Sequence, residues 1–302
     1  LLYSLFYLYF MKKYIILIFN LFFLNSYSQN IIVIDSTNQK PIPFVNVYFS
    51  KGEGTFTNEK GIFNLNNKFS DTLQLSHISY DEIRILASNI KDTIIMSPNA
   101  VILKEIVISN GKKISKFIDF PKKNSSYGSF PVISKSEIIT LITPSTENIN
   151  SIISNLEFKF EKKKSSDNAV NAKTAIRVNI YNSENKKIKT KIYSSNVFII
   201  DVTKKDMVNI DLNENYIELE KNGLFIAIEV IGDIDDSGNI LNNKSLIRPI
   251  LTSNKTDEYY SETYLKYTFD KKLILNPIND ILEKSSGDKI NRNLSFGITL
   301  IK

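Results

Sequence analysis

Short runs of apolar residues, separated by turn-forming residues, occur along most of the chain, and several alternate with polar residues at a period of two. Such alternation is typical of a β-strand with one buried face, and short runs at this spacing favour a β-sandwich over a helical fold. Val45, Val47 and Phe49 illustrate it. Residues 29–98, the first module, contain seven strand candidates: Ile31–Ile34, Phe44–Phe49, Thr55–Thr57, Ile62–Leu65, Thr72–Ser76, Ile83–Leu86 and Thr93–Met96.

A second series of strand candidates occupies residues 131–302, the second module. Its members are Pro131–Ile133, Ile152–Phe160, Ala175–Tyr181, Asn196–Asp201, Met207–Leu212, Leu224–Ile231, Tyr264–Phe269 and Phe296–Ile301. Leu224–Ile231 is more continuously apolar than the other candidates, as expected for a central strand that is covered on both faces. Pro277–Glu283 is a short helix candidate, with Asn276 as its N-cap and Pro277 at the first helical position. The series predicts a larger, jelly-roll-like sandwich of about eight strands, and the fold class as a whole is all-β.

Composition removes several function classes. The chain has 302 residues, 42% of them hydrophobic, and a net charge of +6 from 38 Lys+Arg against 32 Asp+Glu. Its densest basic runs, Lys162–Lys164 and Lys186–Lys187, fall in predicted turns, so we expect no nucleic-acid partner. The chain has no cysteine, which excludes a thiolate nucleophile, a thiolate metal site and the lipid anchor of a lipoprotein.

Residues 11–28 have the layout of a secretory signal. Met11 is followed by Lys12 and Lys13, then by an apolar run that ends at Leu24 and a short polar region before the expected cleavage after Ser28. Residues 1–10 are interpreted as upstream translation. A single anchor over residues 1–24 would place both lysines near the middle of the membrane, which is costly. We therefore expect export to the periplasm, the outer membrane or the cell surface, with no transmembrane span in the mature chain.

Three motifs of the first module occur in the order found in one known family. They are Pro43–Val47, Gly54–Phe63 and the corner Ile78–Tyr80, in which Ser79 stands where glycine is usual. With them, residues 29–98 resemble the carboxypeptidase D regulatory-like domain. The resemblance implies a seven-stranded, transthyretin-like sandwich that is an accessory to other proteins and has no active site of its own. Within the Gly54–Phe63 motif, Asn58 is expected to form an Asx-turn and Gly61 to take a positive φ.

The segment after the first module raises a receptor hypothesis. Ala100–Ser109 resembles the segment that follows this domain in TonB-dependent outer-membrane receptors. Only 193 residues follow Ser109, too few for a barrel of roughly 22 strands, so a fragment or relative of the receptor plug remains as the alternative. Residues 99–130 are interpreted as a strand and linker. The second module is similar, through Ile176–Tyr181, Val208–Leu212 and Gly223–Glu229, to uncharacterised β-domain proteins exported by Gram-negative bacteria, a resemblance that implies no chemistry.

A zinc peptidase is excluded by the residue count. Such a site needs two histidines and a glutamate, whereas His77 is the one histidine of the chain. A Ser-His-Asp triad would need a serine presented on a Gly-x-Ser-x-Gly elbow, which the sequence lacks. We therefore expect a structural role for His77.

Two other groups of residues are candidate binding sites. Asp233, Asp235 and Ser237 have the spacing that begins a calcium loop, but Lys244 stands where a bidentate glutamate belongs, so an acidic hairpin tip is the preferred interpretation. Tyr259, Tyr260 and Tyr264, with Tyr267, form an aromatic cluster that could stack on sugar rings, although strand aromatics more often pack in the core. No cofactor is expected, and no carboxylate pair is singled out by its spacing.

Three functional hypotheses follow. The first is a non-catalytic accessory or binding protein of the cell envelope, whose partner, a glycan, a peptide or an outer-membrane protein, stays open. The second is a carbohydrate-active hydrolase, for which two carboxylates about 5–10 Å apart in a concave groove would be the mark. The third is the receptor fragment.

Overall fold

A computed structural model describes residues 29–50, 52–65, 70–99, 115–118, 127–162, 173–241, 247–253, 255–287 and 291–302. The upstream residues 1–10, the expected signal 11–28, the strand candidate at 100–109 and Lys244 lie outside the described residues. The protein is all-β, with 57% strand and 7% helix, as predicted. No helix in the described part is long and apolar enough to cross a bilayer.

The first module is a small sandwich of two sheets. Its strands are β1 (Asn30–Asp35), β2 (Asn46–Tyr48), β3 (Gly54–Phe56), β4 (Ile62–Asn64), β5 (Thr72–His77), β6 (Tyr80–Leu86) and β7 (Thr93–Met96). One sheet has the order β4-β1-β7 and the other the order β3-β2-β5-β6. Each of the seven candidates coincides with a described strand, so the predicted sandwich is confirmed.

Apolar side chains from both sheets fill this sandwich. Val45, Val47 and Phe49 point into the core as their alternation predicts. The core further contains Ile31, Val33, Ile42, Phe63, Leu65, Leu73, Leu75, Ala87, Ile90, Ile94 and Met96. Asn46, between two of the inward residues, is buried as well, because the second module covers the opposite face of β2.

The hairpin between β3 and β4 has the expected turn chemistry. The side-chain oxygen of Asn58 accepts hydrogen bonds from the N–H groups of Lys60 and Ile62, at 3.0 and 2.9 Å. Gly61 has a φ of +71°, and a Cβ there would lie 2.9 Å from the carbonyl oxygen of Val33. Both features fix the hairpin against β1.

The corner at Ile78–Tyr80 is fastened to the turn after β1. The Tyr80 hydroxyl donates to Oδ2 of Asp35 at 2.9 Å. The Asp35 carboxylate also accepts from the hydroxyl and the N–H of Thr37, and these bonds with Thr37 are the main reason that the pKa of Asp35 falls to about 2. Tyrosine at this corner therefore joins two distant turns of the module.

The second module is a larger two-sheet sandwich. Its strands are β8 (Ser115–Ile118), β9 (Tyr127–Ser129), β10 (Ser136–Pro144), β11 (Ser151–Glu161), β12 (Lys173–Glu184), β13 (Lys187–Ser194), β14 (Phe198–Asp201), β15 (Asp206–Asp211), β16 (Ile217–Leu219), β17 (Leu224–Asp233), β18 (Arg248–Thr252), β19 (Tyr259–Tyr267), β20 (Asn276–Pro277), β21 (Asn293–Leu294) and β22 (Phe296–Ile301). β8 and β9 lie within the predicted linker, yet they pair with β22 and β18 of this module.

The strands of the second module are divided between two sheets. One sheet has the order β13-β12-β17-β10-β19-β20, with β14 beside β12. The other has the order β21-β18-β11-β22-β8, with β15 and β16 beside β11 and β9 beside β18. The two-layered sandwich is as predicted. Strand β10, near the start of the module, and strand β22, at its end, lie in different sheets. Apolar residues between the sheets form the largest core, which includes Ile138, Phe158, Val178, Ile228 and Phe296.

The central strand β10 is the main element that the sequence analysis missed. It pairs with β17 on one side and β19 on the other. Its polar residues Glu137 and Thr140 interrupt the apolar pattern, but both are buried, and the hydroxyls of Thr140 and Thr263 lie 2.9 Å apart. The predicted strand Pro131–Ile133 is wrong: these residues are irregular and precede β10.

The helix candidate is confirmed with a shifted start. Helix α1 spans Ile278–Ser286, and Pro277 rather than Asn276 occupies the N-cap position. The side chain of Asn276 instead donates to the carbonyl of Leu265 at 3.3 Å. The helix ends at Gly287, which has a left-handed φ of +78°.

Candidate ligand-binding cleft between the modules

The four-stranded sheet of the first module packs on the outer face of the β12-β17-β10-β19 sheet. An apolar cluster joins the modules: Phe44 and Phe56 from the first, and Ala175, Ile231, Ile234 and Phe269 from the second. The ring of Phe269 lies 5.0 Å from that of Phe56 and 5.2 Å from that of Tyr48. The modules thus share a packed aromatic contact.

Polar bonds at the hairpin tips extend this contact. The side chain of Asn58 donates to that of Asn239 at 2.9 Å, and the N–H of Glu59 donates to the carbonyl of Gly238 at 3.3 Å. At the other side of the cluster, the Lys135 ammonium donates to the carbonyl of Gly54 at 3.1 Å. The first module is therefore bonded to two separate loops of the second, the tip at Gly238–Asn239 and the turn at Lys135.

A buried ionic layer lies under the docked first module. We use this name for Arg177, Glu229, Glu137, Lys266 and Tyr181. Arg177, 4% exposed, donates to the fully buried Glu229 at 2.5 Å. Its other nitrogens reach the first module, where they donate to the Phe44 carbonyl at 3.1 Å and to the side chain of Asn46. A single guanidinium therefore joins the modules.

The other half of the ionic layer is centred on Glu137. The Lys266 ammonium lies 3.2 Å from its carboxylate, and the Tyr181 hydroxyl lies 2.8 and 3.0 Å from its two oxygens. Burial, together with the negative charge of Glu137, raises the pKa of Tyr181 well above its usual value. Every charge in the layer has an opposite partner, as buried charges require.

Glu137 and Glu229 are a carboxylate pair that spacing along the chain did not select. They are cross-strand neighbours on β10 and β17. Burial alone would raise the pKa of Glu229, but Arg177 and Lys191 bring it down to about 2. With Glu137 1% and Glu229 0% exposed, the pair lies beneath the first module rather than in an open groove. The arrangement lacks the access that a glycoside substrate needs.

An open cleft of about 830 Å³ lies beside this interface and has walls from both modules. We call it the inter-module cleft. The first module contributes Asn30, Phe49, the residues Gly52–Phe56 that lead into and form β3, and five residues of the next turn and strand: Asn58, Lys60, Ile62, Phe63 and Asn64. The second contributes Lys135, Tyr267, Phe269, Asp270 and the tip residues Asn239 and Ile240. Its volume falls within the range of roughly 300–1,000 Å³ that is typical of ligand sites.

Lys135 and Tyr267 are prominent in this cleft. Lys135 has a left-handed φ of +62° in the turn before β10, and burial lowers the pKa of its ammonium. Tyr267, 48% exposed, ends β19. Tyr267 belongs to the predicted aromatic cluster, whereas Lys135 was not predicted, because its only local signal is that of a polar residue in a turn.

The other tyrosines of that cluster lie elsewhere. Tyr259 stacks on Phe296, with 5.8 Å between ring centroids, and packs against the core. Tyr260 and Tyr264 both donate to Glu262, at 3.0 and 3.1 Å. Burial, with the adjacent Glu262 charge, raises the pKa of Tyr264 to about 12. Tyr259 and Tyr260 line a smaller depression of about 370 Å³ at the edge of the second module.

The calcium-loop candidates Asp233, Asp235 and Ser237 make separate hydrogen bonds. Asp233 is buried at the end of β17 and accepts from the Thr174 hydroxyl at 2.6 Å. Asp235 accepts from the N–H groups of Ser237 and Asn239, at 2.9 and 2.8 Å, and these bonds lower its pKa. The segment is a hairpin tip held by its own Asx-turn, and its tip contacts the first module. Within the described ranges, no three His, Cys, Asp or Glu side chains are grouped as metal ligands.

His77 is part of the turn between β5 and β6. Its Nδ1 accepts from the N–H of Ser79 at 3.2 Å, and its ring meets that of Tyr80 edge-on at 5.2 Å. Burial first, and then the positive charges of Arg177 and Lys191, lower the pKa of His77 to about 4. The imidazole is therefore neutral at pH 7.

Comparison with known proteins supports the resemblance of the first module. Residues 32–108 match the family model described as the CarboxypepD_reg-like domain, so the first module carries a carboxypeptidase-regulatory-like domain. A search of curated proteins finds no match to the chain.

The solved structures that are similar to this chain include two with low overall similarity. A clostridial cysteine protease, Cwp84 after propeptide cleavage, is 12% identical, with a TM-score of 0.35 over 62% of this chain and 40% of the protease chain. A structure of the Gt strain of infectious bursal disease virus is 12% identical, with a TM-score of 0.25 over 86% of this chain and 55% of the viral chain. The chain thus spans about half the length of these proteins or less, and TM-scores of this size do not identify a shared fold.

Proposed function

We propose that the chain is an exported, non-catalytic binding protein of the cell envelope, which holds its ligand in the inter-module cleft. The observation that carries the proposal is that the cleft has walls from both modules, which are joined to each other beside it. A site divided between two domains is a common place for ligand binding. The signal layout at residues 11–28 supports export, and the carboxypeptidase-regulatory-like domain is compatible with a non-catalytic role.

The buried state of the charged groups supports binding rather than catalysis. Catalytic acids and bases must reach the substrate. Glu137 forms an ion pair with Lys266 and Glu229 with Arg177, and both carboxylates are covered by the first module. The ring nitrogen Nδ1 of His77 accepts a hydrogen bond within its own turn.

The proposal is tested by filling the cleft. Thr55 lines the cleft on β3, and Thr72 is an exposed residue on β5 of the same module that does not line it. Chain 29–302 would be isolated from cell envelopes, with Gln29 expected at its N-terminus, and screened by thermal shift against neutral and acidic oligosaccharides and short peptides. We expect at least one probe to raise the melting temperature in proportion to its concentration.

The response should be lost in Thr55→Trp and retained in Thr72→Trp, since only the first substitution fills the cleft. Mass spectrometry of the probe after incubation should show it unchanged. A response that persists in Thr55→Trp, a panel without any response, or cleavage of the bound probe would each overturn the proposal.

A further inference from the structure

The charges around the inter-module cleft are balanced. Two acidic residues, Glu53 and Asp270, and two basic residues, Lys60 and Lys135, are among those that line it. Lys135 is already bonded to the Gly54 carbonyl, and Asp270 accepts from the N–H of Lys272 at 2.9 Å. A surface without a net charge gives no electrostatic preference to a polyanion or a polycation.

Amide side chains are the commonest polar groups in the cleft. Asn30, Asn58, Asn64 and Asn239 line it. An amide both donates and accepts hydrogen bonds, as a sugar hydroxyl does. The amides are held in place by one another, since Asn64 donates to Asn30 at 3.2 Å and Asn58 to Asn239 at 2.9 Å. This is a pre-arranged set of neutral hydrogen-bonding groups from both modules.

Tyr267 supplies an exposed aromatic face beside these amides. Nearly half of this residue is accessible, at 48%, whereas Phe56, Phe63 and Phe269 are buried in the walls. The apolar C–H face of a sugar ring can stack on such a ring, with the hydroxyls at its edge directed to the polar groups. An aromatic face beside amides fits a hydroxyl-rich ring.

The strand edges at the cleft are poorly suited to an extended peptide. β3 and β4 are the end strands of their sheets, where a peptide would add as a further strand. However, the Gly54 carbonyl is bonded by Lys135, and both the N–H and the carbonyl of Ile62 are bonded by Asn58. The ring of Phe269 also covers Gly54: a Cβ at position 54 would lie 2.1 Å from that ring.

We infer that the ligand of the inter-module cleft is a neutral oligosaccharide, one ring of which stacks on Tyr267. This inference rests on the proposed function, because it names the ligand class of the same cleft. Tyr216 offers a matched control: it is 45% exposed, in the turn between β15 and β16, and does not line the cleft.

The test is isothermal titration calorimetry of chain 29–302 with three probes: neutral β-linked hexose oligosaccharides, uronic acid oligosaccharides and a pool of short uncharged peptides. We expect binding of the neutral probe. Tyr267→Ala should weaken it by about tenfold, because the stacking surface is removed. Tyr267→Phe should retain it, since the ring remains, and Tyr216→Ala should leave it unchanged.

The outcomes separate this inference from the proposed function. One outcome is that the acidic or the peptide probe binds, that Thr55→Trp blocks this binding, and that the neutral probe does not bind. The ligand class is then wrong, while the cleft remains a binding site. Neutral binding that Tyr267→Ala leaves intact also overturns the inference. If no probe binds, or if binding survives Thr55→Trp, both the inference and the proposed function fail.

Discussion

At the scale of single residues, the contact between the modules depends on charges removed from water. Arg177 bonds Glu229 within the second module and the Phe44 carbonyl in the first. Removing one member of a buried ion pair typically costs about 3–5 kcal/mol, because the other charge is left without a partner. The exposed pair that Lys173, also on β12, forms with Asp236 contributes little.

His77 should make the stability of the protein depend on pH. Its pKa is about 4 in the folded protein against 6.5 for an ordinary histidine, so the unfolded chain takes up the proton first as the pH falls. The contribution of neutral His77 to the free energy of unfolding is complete above about pH 6.5 and is lost as the pH falls towards 4. Denaturation curves at pH 7 and pH 5 should differ by about 1–2 kcal/mol. Because the chain has no other histidine, His77→Gln should reduce this difference. An undiminished difference in the variant would contradict this cause.

At the scale of elements, strand β3 is fitted to the second module through a missing side chain. Gly54 has an ordinary backbone conformation, but a Cβ would lie 2.1 Å from the Phe269 ring. That ring is held between Phe56 and Tyr48, so it has little room to move. Glycine here serves the close approach of two modules rather than the shape of the strand itself.

We expect Gly54→Val to lower the free energy of unfolding by about 1–3 kcal/mol, as overpacking does. Thr55→Val, the next residue on β3, is the control, and we expect its effect to stay within about 0.5 kcal/mol. Urea denaturation of both variants measures the difference. If the Gly54→Val variant were as stable as the parent, the Phe269 ring would be free to move aside, which contradicts the prediction.

At the scale of the whole molecule, the two modules form one packed structure. The interface contains an apolar cluster, the ionic layer and bonds at two hairpin tips. We expect chain 29–302 to unfold in one calorimetric transition, with equal calorimetric and van't Hoff enthalpies.

The substitution Arg177→Met should uncouple the modules and split the transition in two, because it removes the bonds to Phe44 and Asn46 and the salt bridge to Glu229. Lys173→Met, which breaks an exposed pair on the same strand, should leave a single transition. Two transitions in the parent chain would contradict a shared interface.

Part of this structure could be predicted from local pattern. The seven strands of the first module, the Asx-turn at Asn58 and the positive φ of Gly61 each depend on residues within a few positions of one another. Strand β10 escaped prediction because Glu137 and Thr140 are polar, and their partners Lys266 and Thr263 are distant in sequence. Of the aromatic candidates, Tyr267 lines the inter-module cleft, whereas Tyr259, Tyr260 and Tyr264 lie elsewhere.

The sequence by itself determined the all-β class, the identity of the first module and the single histidine that rules out a two-histidine zinc site. Periodicity, turn motifs and residue counts can all be read without knowing which distant residues come into contact. Only the tertiary structure decided which polar residues are buried together and where an open cleft remains. The ionic layer and the inter-module cleft combine residues such as Asn46 and Arg177, or Asn58 and Asn239, that are more than a hundred positions apart. Such distant residues meet only when whole sheets pack, and no local pattern encodes that contact.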